Sequence, residues 1–310
     1  MPRDGHLHAP CMLAETLKIL DPQPGDVLVD MTLGLAGHAI AILEKTARDG
    51  PGILIDWDAS MLAVAEKRLA PYRDRIKLFN RNFTELPQIM AEAGIEHADL
   101  AILDAGVALP QLLDTQRGFG FQGTSLAMSM ADPNDPRAAD IINSAPEPQL
   151  RSILRSTQSE HRSKLIAKAI CRARQRKSIE SSSELAEIIA AALPKGRRKS
   201  SRHPATAAML AFRIFANEEL DNLQAGVEAM AEALRPGAGR MVVLTYHSLE
   251  FRIARDTIQR LARGHDIPPW LPAPADARPL IRSLTKRPLK PSDFEAATCR
   301  SCRLFAAQAV

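Results

Sequence analysis

Short apolar segments that alternate with helical patterns constrain the fold of this chain more than any other feature of its sequence. The segments are DVLVDM (26–31), GILIDWD (52–58), KLFNRNF (77–83), LAILDAG (100–106) and RMVVLTYHS (240–248). Each has the length and the apolar content of a buried strand. Because a helical pattern lies between each of the first four and the next, the sequence predicts an α/β fold with a parallel sheet and crossover helices.

The interval between the fourth and fifth segments is much longer than one crossover helix requires. It contains PEPQLRSILRS, SEHRSKLIAKAICRARQRK and SSSELAEIIAAAL, which we interpret as helices. The third of these opens with serines followed by Glu184, which predicts a capping box. We therefore expect an inserted all-helical domain over 111–213, whereas 1–110 and 214–310 form the sheet domain. Near the C-terminus, LIRSLTKRPLKPS and CRLFAAQ predict a closing pair of strands.

Charge is distributed unevenly along the chain. Between Arg151 and His203 there are 14 Lys and Arg residues and four acids, which gives +10, whereas the whole chain carries only +4. The remaining residues therefore sum to −6. A basic segment joined to an acidic body indicates a polyanionic partner such as a nucleic acid. The alternative is a solvated helical face, which is the commoner meaning of a run of charges.

The composition also limits the cellular setting that we expect. The opening MPRDGHLHAP has no apolar core of a signal peptide, and no apolar run is long enough to cross a membrane. We therefore expect a cytoplasmic protein whose four cysteines are reduced. Cys299 and Cys302 form a CxxC without a second pair, so no metal site is predicted. The sequence is compatible with a homo-oligomer but does not determine the oligomeric state.

Acidic side chains end three of the predicted strands. These are Asp30, Asp56 and Asp104, and ligands of open α/β sheets bind at the carboxyl ends of the strands. An acid after the second strand can accept hydrogen bonds from the ribose of NAD, FAD or S-adenosylmethionine. The loop LGLAGH lacks the GxGxxG spacing that a pyrophosphate requires, which favours the sulfonium cofactor over a dinucleotide. A sheet without catalytic function, in which the aspartates only cap helices, is the remaining alternative.

Several longer motifs carry a family resemblance. They are HAPCMLAETLKIL, VDMTLGLAGHAIAIL, LIDWDASML, LAILDAGVALPQLLDTQRGFGF, HPATAAMLAFRIFANEEL and YHSLEFRI. In this order, from about His8 to the C-terminus, they resemble the RsmH (MraW) family. The resemblance implies a Rossmann-like S-adenosylmethionine-dependent methyltransferase sheet with an inserted helical domain. It also implies methylation of the N4 amine of a cytosine in small-subunit (16S) ribosomal RNA.

The resemblance further implies a set of residues around the cofactor. The family's glycine-rich loop corresponds to Leu35–His38, and its acids after the second and fourth strands correspond to Asp56 and Asp104. Its phenylalanine after the third strand corresponds to Phe83, which either forms an apolar wall for adenine or only packs in the core. The implied cofactor-binding residues are Ala36, Gly37, His38, Asp56, Phe83, Asp104 and Gln111.

The reaction that the resemblance implies requires activation of a weak nucleophile. The lone pair of the cytosine N4 amine is shared with the ring, so a hydrogen-bond acceptor has to localise it. A carboxylate could accept an amine hydrogen as positive charge develops on nitrogen. Asp104 is our candidate for this catalytic role, and cofactor binding alone is the alternative.

Contacts with RNA are expected in the insertion. A base has to leave its stack to enter such a site, and splayed bases stack on aromatic rings or guanidinium planes. The RGFGF motif provides Arg117, Phe119 and Phe121 as candidates for a lid over the pocket, with packing of the two phenylalanines as the alternative. The stretch KGRRKSSRH is a candidate for contact with the RNA backbone or else a solvated loop. Its candidate cations are Lys195, Arg197, Arg198, Lys199 and Arg202.

The chain departs from the family pattern in several loops. Ala108 and Leu109 replace two serines, Ala127 and Ser129 stand where an acid and an arginine are typical, and Phe251 replaces an acid. Loops carry function more often than the elements they connect. The alternative function is therefore a divergent paralogue that binds cofactor and RNA but has a changed substrate or has lost activity.

Overall fold

The chain divides into two compact units, Met1–Gly106 with Leu220–Val310 and Val107–Glu219. This computed structural model describes residues 10–47, 49–194, 203–265, 271–272, 274, 277–292, 295 and 299–310. The RNA candidates Lys195, Arg197, Arg198, Lys199 and Arg202 lie outside the described residues. Within the described ranges, no helix has the length and apolar character needed to cross a membrane.

A seven-stranded sheet forms the centre of the first unit. Its strands are β1 Leu28–Asp30, β2 Gly52–Ile55, β3 Ile76–Phe79, β4 Leu100–Asp104, β5 Arg240–Thr245, β6 Ile281–Ser283 and β7 Arg303–Ala309. The order across the sheet is β3-β2-β1-β4-β5-β7-β6. The first five strands are parallel, and β7 is antiparallel to both β5 and β6. The five predicted strands and the closing C-terminal pair are therefore confirmed.

Helices cover both faces of this sheet. The α-helices of the described residues are α1 Leu13–Leu20, α2 Gly37–Lys45, α3 Ala59–Arg68, α4 Leu86–Ala93, α5 Leu109–Leu113, α6 Arg137–Ser144, α7 Glu147–Arg155, α8 Glu160–Arg174, α9 Ser182–Ala192, α10 Thr206–Ala216, α11 Glu219–Ala233 and α12 Ser248–Arg263. Consecutive strand residues point to opposite faces, so Leu28 packs in a cluster with α1, α2 and α3. Val29, the next residue, packs in a second cluster with α4, α11 and α12. The sheet is thus buried on both sides, which explains its continuous apolar strands.

The described part of the insertion between β4 and β5 is helical, as the sequence predicts. Its helices α6 to α10, with Phe119, Leu126 and Met128 from the segment before α6, enclose an apolar cluster of their own. The serine half of the predicted capping box is confirmed, because Ser181 Oγ accepts a hydrogen bond from Glu184 N at 3.2 Å at the start of α9. The Glu184 carboxylate accepts from Glu180 N at 3.2 Å, one residue before the N-cap residue whose amide a capping box would use.

The strand order creates a crevice at one place along the sheet edge. β1 lies between β2 and β4, so the connections after β1 and β4 leave to opposite sides, and open sheets bind ligands at such a switch point. Asp30 is paired with Leu54 on one side and with Ile102 on the other. Asp56 and Asp104 lie two residues beyond these partners. The fold therefore brings the three strand-end acids to one edge.

Candidate cofactor and active site

Asp30 is the buried member of this group of acids. Its side chain is 2% exposed, and its Oδ1 accepts a hydrogen bond from Thr32 N at 3.1 Å. Burial, and then the charges of Asp104 and Asp56, raise the pKa of Asp30 to about 7, against the opposing effect of the Thr32 hydrogen bond. A cation bound at this edge would relieve the same repulsion, so the acids favour a positively charged ligand.

The loop after β1 is held to both neighbouring strands. Met31 N donates to Ile102 O at 2.9 Å, and Leu33 N donates to Ile55 O at 2.8 Å. Gly34 N donates to Asp56 Oδ2 at 2.6 Å. The loop conformation is therefore fixed by the strands on either side of it.

The predicted cofactor residues Ala36 and Gly37 lie where this loop enters α2. Ala36 is fully buried and has a left-handed φ of 60°, a conformation that glycine adopts more readily than alanine. A Cβ on Gly37 would lie 3.1 Å from Pro10 Cγ, so the close approach at Gly37 is to Pro10. No described side chain caps the N-terminus of α2. The amides of its first turn thus form a region of positive potential that suits a carboxylate.

Asp56 connects the loop to the second strand. Besides the bond from Gly34, its Oδ1 accepts a hydrogen bond from Asp58 N at 2.8 Å. The role of helix N-cap belongs to Asp58, whose Oδ1 accepts from Ser60 N at 2.8 Å. The capping alternative therefore does not describe Asp56. A carboxylate oxygen can accept more than one hydrogen bond, so these contacts are compatible with ribose binding.

Asp104, the predicted catalytic residue, is held at several atoms. The Tyr246 hydroxyl donates a hydrogen bond to Asp104 Oδ1 at 2.7 Å, and Asp104 N donates to Thr32 Oγ1 at 2.7 Å. On the other side, Oδ2 lies 3.7 Å from His38 Nδ1, and the Asp104 side chain is 25% exposed. A ligand can therefore reach a carboxylate whose orientation is already fixed.

His38 is buried beside this carboxylate. Its Nε2 lies 3.0 Å from Cys11 O. Because a carbonyl oxygen only accepts hydrogen bonds, we assign a proton to Nε2. Nδ1, on the other side of the ring, lies 3.7 Å from Asp104 Oδ2. His38 thus connects the loop before α1 to the acid at the end of β4.

Phe83 occupies a defined position at the same edge. The predicted third strand is shorter than its sequence pattern, since β3 ends at Phe79 and Phe83 begins a 3-10 helix, Phe83–Glu85. The ring lies against α11, where a Cβ on Gly226 would be 2.6 Å from Phe83 Cε2. Phe83 is half-buried and packs on the apolar cluster that contains α11. Both alternatives for Phe83, core packing and an apolar wall, are compatible with this position.

The predicted cofactor residue Gln111 belongs to the helical unit. It is 6% exposed, and its Oε1 accepts a hydrogen bond from Ala108 N at 2.8 Å. Its Nε2 donates to Met130 O at 3.4 Å. These contacts give Gln111 a role within its own unit, and its cofactor role stays a prediction.

The RGFGF residues have different environments. Arg117 is 3% exposed and its Nη1 donates to Ser129 O and Met130 O, both at 3.3 Å. Phe119 is 9% exposed and packs in the core of the helical unit. Direct contact of these two side chains with RNA would require them to leave these positions, and for Phe119 the packing alternative describes the position better.

Phe121 differs from the other two RGFGF candidates because it faces solvent. It is 38% exposed, and its ring lies 4.3 Å from the ring of the exposed His203 with an angle of 31° between the planes. Paired rings of this kind can accept a base on an open face. Phe121 is therefore the member of the motif whose position suits RNA.

Of the five positions that depart from the family pattern, two are buried, Ala108 and Phe251 are partly buried, and Leu109 is exposed. Ala127 and Ser129 are 6% and 4% exposed, and Ser129 Oγ accepts a hydrogen bond from Asp132 N at 3.2 Å. Phe251 packs on Phe305 with 5.3 Å between ring centroids. Apolar packing therefore accounts for Phe251, where the family has an acid.

Sequence reasoning missed two residues of the site, Thr32 and Tyr246. Tyr246 directly follows β5, and the rule that ligands bind at the carboxyl ends of strands could have identified it. Thr32 carries no such signal, because its contact with Asp104 N depends on the path of the loop.

The residues at this edge as a whole fit S-adenosylmethionine. The acids at the strand ends suit the positively charged sulfonium of this cofactor, and the N-terminus of α2, which no described side chain caps, suits the carboxylate of its amino-acid part.

Comparison with known proteins gives a family for this chain. Residues 5–310 match the MraW methylase family. The chain is 40% identical to ribosomal RNA small subunit methyltransferase H of Geobacter sulfurreducens, over 97% of this chain and 98% of that protein. It is 39% identical to the protein of the same name from Geotalea daltonii, over 98% of both. A solved structure, the SAM-dependent O-methyltransferase from Thermotoga maritima, aligns with this chain at 11% identity and a TM-score of 0.43. The alignment covers 99% of this chain and 68% of that protein, and so distant a likeness supports no conclusion. On the family match and these two relatives, the chain belongs to the MraW methylase family.

Proposed function

We propose that this protein transfers a methyl group from S-adenosylmethionine to the N4 amine of a cytosine in the 16S RNA of the small ribosomal subunit, in the cytoplasm. The observation that carries the proposal is the Asp104 carboxylate, which is partly exposed at the end of β4 and accepts a hydrogen bond from the Tyr246 hydroxyl. The two relatives at 39–40% identity, which are named as small-subunit ribosomal RNA methyltransferases, support the same substrate class.

The residues of the first unit can perform the protein's part of this reaction. S-adenosylmethionine, when bound, provides an electrophilic methyl group on a sulfonium. Asp104 accepts a hydrogen bond from the amine, which localises the nitrogen lone pair, and then takes the proton that the amine loses. Asp56 and the first turn of α2 hold the cofactor, while the fixed loop keeps Asp104 and Asp56 at one edge. Positioning of this kind lowers a barrier without any change in the chemistry of the reactants.

The helical unit is the RNA-recognition part of the proposal, over 111–213. Helix α8 buries Ile166, Ala167 and Ile170 in the core of that unit. Its opposite face is exposed and basic. The exposed cations of α8 are Arg162, Lys164, Lys168 and Arg172, and the exposed Arg176 and Lys177 follow its C-terminus. Such a face attracts the phosphate backbone, and the stacked pair of Phe121 and His203 can accept an unstacked base.

A strain without this gene tests the substrate directly. Mass spectrometry of nucleosides from its 16S RNA should show N4-methylcytidine reduced or absent, and the gene supplied in trans should restore it. Unchanged N4-methylcytidine in that strain would show that another protein makes the modification. Purified small subunits and free 16S RNA with tritiated S-adenosylmethionine then determine which of the two is the substrate.

The Asp104→Asn variant tests the catalytic residue. Asparagine keeps the size of the side chain but is not a carboxylate base, so kcat should fall by about 100-fold or more. Asp74→Asn is the matched control, because the Asp74 side chain is 96% exposed and lies outside the site. Wild-type turnover by Asp104→Asn would contradict the assignment, whereas an equal loss in the control would indicate a general effect of the substitution.

A further inference from the structure

We propose that Tyr246 is a positioning residue of this methyltransferase, whose hydroxyl holds the Asp104 carboxylate in the orientation that accepts the hydrogen of the substrate amine. The inference rests on the proposed function. It adds to that function a residue that acts through Asp104 and not on the reacting atoms themselves. The observation behind it is the hydrogen bond of 2.7 Å from the Tyr246 hydroxyl to Asp104 Oδ1.

The sheet brings the two residues together. Asp104 is paired with Leu244 on the parallel neighbour strand β5, and Ala105 N donates to Leu244 O at 3.0 Å. Tyr246 lies two residues beyond Leu244, just after both strands have ended. Its ring passes beside Gly106, where a Cβ would be 3.6 Å from Tyr246 Cδ2. The side chain can therefore reach back across the strand ends to Asp104.

The backbone of Tyr246 is fixed by the start of α12. The Glu250 side chain is 2% exposed, and its Oε2 accepts hydrogen bonds from Tyr246 N at 2.7 Å and from His247 N at 3.1 Å. Glu250 N donates in turn to His247 Nδ1 at 3.2 Å, which completes a reciprocal cap. The phenol is thus anchored through a buried acid on the first turn of a long helix.

The phenol is suited to a constant donor role. Burial, and next the charge of Asp104, raise the pKa of Tyr246 well above its ordinary value, so the hydroxyl keeps its proton across the physiological range. A protonated phenol beside a carboxylate donates one hydrogen bond and favours the ionised carboxylate. Thr32 holds the backbone of Asp104, and Tyr246 holds one oxygen of its side chain. Together they leave the carboxylate little rotational freedom.

Tyr246→Phe is the direct test, because it removes the hydroxyl and keeps the ring. Loss of a hydrogen bond to a charged group should lower kcat by on the order of 10- to 100-fold, while KM for S-adenosylmethionine stays within about threefold of the wild type. A carboxylate that loses a donor binds its proton more tightly, so the acid limb of the kcat profile should move to higher pH. Tyr72→Phe is the matched control, since Tyr72 and Tyr246 are the two tyrosines of the chain. Wild-type kcat together with an unmoved acid limb in Tyr246→Phe would overturn the inference.

A spectroscopic test covers the case in which Tyr246→Phe does not fold. In the Tyr72→Phe background, 3-fluorotyrosine labels Tyr246 alone and gives a single fluorine resonance. If the inference is correct, this resonance shifts as Asp104 titrates, and Asp104→Asn abolishes the shift. Fluorination also makes the phenol a stronger donor, so the acid limb of the labelled enzyme should move to lower pH. A fluorine resonance with the same pH dependence in the wild-type and Asp104→Asn backgrounds would refute the contact.

The two proposals fail in different ways. If the wild type transfers no methyl group to small subunits or to 16S RNA, the proposed function fails, and the fluorine resonance still decides whether Tyr246 holds Asp104. If the wild type is active and Tyr246→Phe is equally active with the same pH profile, the positioning role alone fails. Thermal unfolding and calorimetric binding of S-adenosylmethionine identify a variant that has merely lost its structure.

Discussion

The contact of Phe83 with Gly226 gives the sharpest test of how the cofactor edge is built. In Gly226→Ala the new Cβ would lie 2.6 Å from Phe83 Cε2, 2.7 Å from Phe83 Cδ2 and 3.1 Å from Leu103 Cδ1. The first two distances are too short for any real contact, so the ring has to move. Overpacking of this kind costs about 1–3 kcal/mol. Alanine in the interior of α11 gains about 1 kcal/mol over glycine from helix propensity, which leaves a net destabilisation of about 0–2 kcal/mol.

Removal of the ring should reverse the sign of this effect. In the Phe83→Ala background the clash with the ring is gone and only the 3.1 Å approach to Leu103 Cδ1 remains, so Gly226→Ala should stabilise the protein by up to about 1 kcal/mol through helix propensity. The coupling energy in a double-mutant cycle then equals the overpacking energy, about 1–3 kcal/mol. Urea unfolding of the four proteins, followed by circular dichroism, measures it. Additive effects within about 0.5 kcal/mol would refute the reasoning.

The same variants decide whether Phe83 is a wall for adenine. If the ring contacts the cofactor, its displacement in Gly226→Ala should raise the Kd for S-adenosylmethionine by about 2- to 10-fold, the range of an aromatic contact. Phe83→Ala should raise it at least as much, and the double variant should equal Phe83→Ala. Titration calorimetry with folded protein provides the values. An unchanged Kd in all three variants would leave Phe83 as a core residue only.

Three further predictions concern pH and RNA. The pKa of Asp30 in the folded protein, about 7, lies above its ordinary value of 3.8, so the unfolded state releases the proton first and the stability that Asp30 contributes is lost as pH rises from about 4 to 7. The free energy of urea unfolding of the wild type should therefore fall by up to about 4 kcal/mol over this pH range, and that of Asp30→Asn should not show this fall. Parallel pH profiles of the two proteins would contradict the pKa shift. Phe121→Ala should weaken single-stranded RNA binding by about 5- to 100-fold through lost base stacking, whereas Phe215→Ala, a similarly exposed phenylalanine of the same unit, should not, and equal effects would exclude a specific platform. Replacement of the five basic candidates of 195–202 by alanine should reduce the slope of log K against log salt by up to about 3.5, and an unchanged slope would show that they do not contact phosphate. These five are Lys195, Arg197, Arg198, Lys199 and Arg202.

The sequence alone determined the fold class, because the periods of its apolar residues are local properties. Five apolar segments predicted the parallel strands, and the long interval after the fourth predicted the helical insertion, which the described residues confirm. Strand-end acids are equally local, so Asp30, Asp56 and Asp104 could be found from the pattern alone. The rule for connections in parallel sheets is then enough to predict that these three acids lie at one edge of the sheet.

The tertiary structure decided what each side chain contacts, because such contacts join residues far apart in the sequence. Phe119 and Phe121 lie two residues apart in one motif, yet one is buried in a core and the other faces solvent beside His203. No local pattern separates them, since the difference depends on which helices pack around each ring. The hydroxyl of Tyr246 reaches an acid 142 residues earlier in the chain, and only the pairing of β4 with β5 brings the two together.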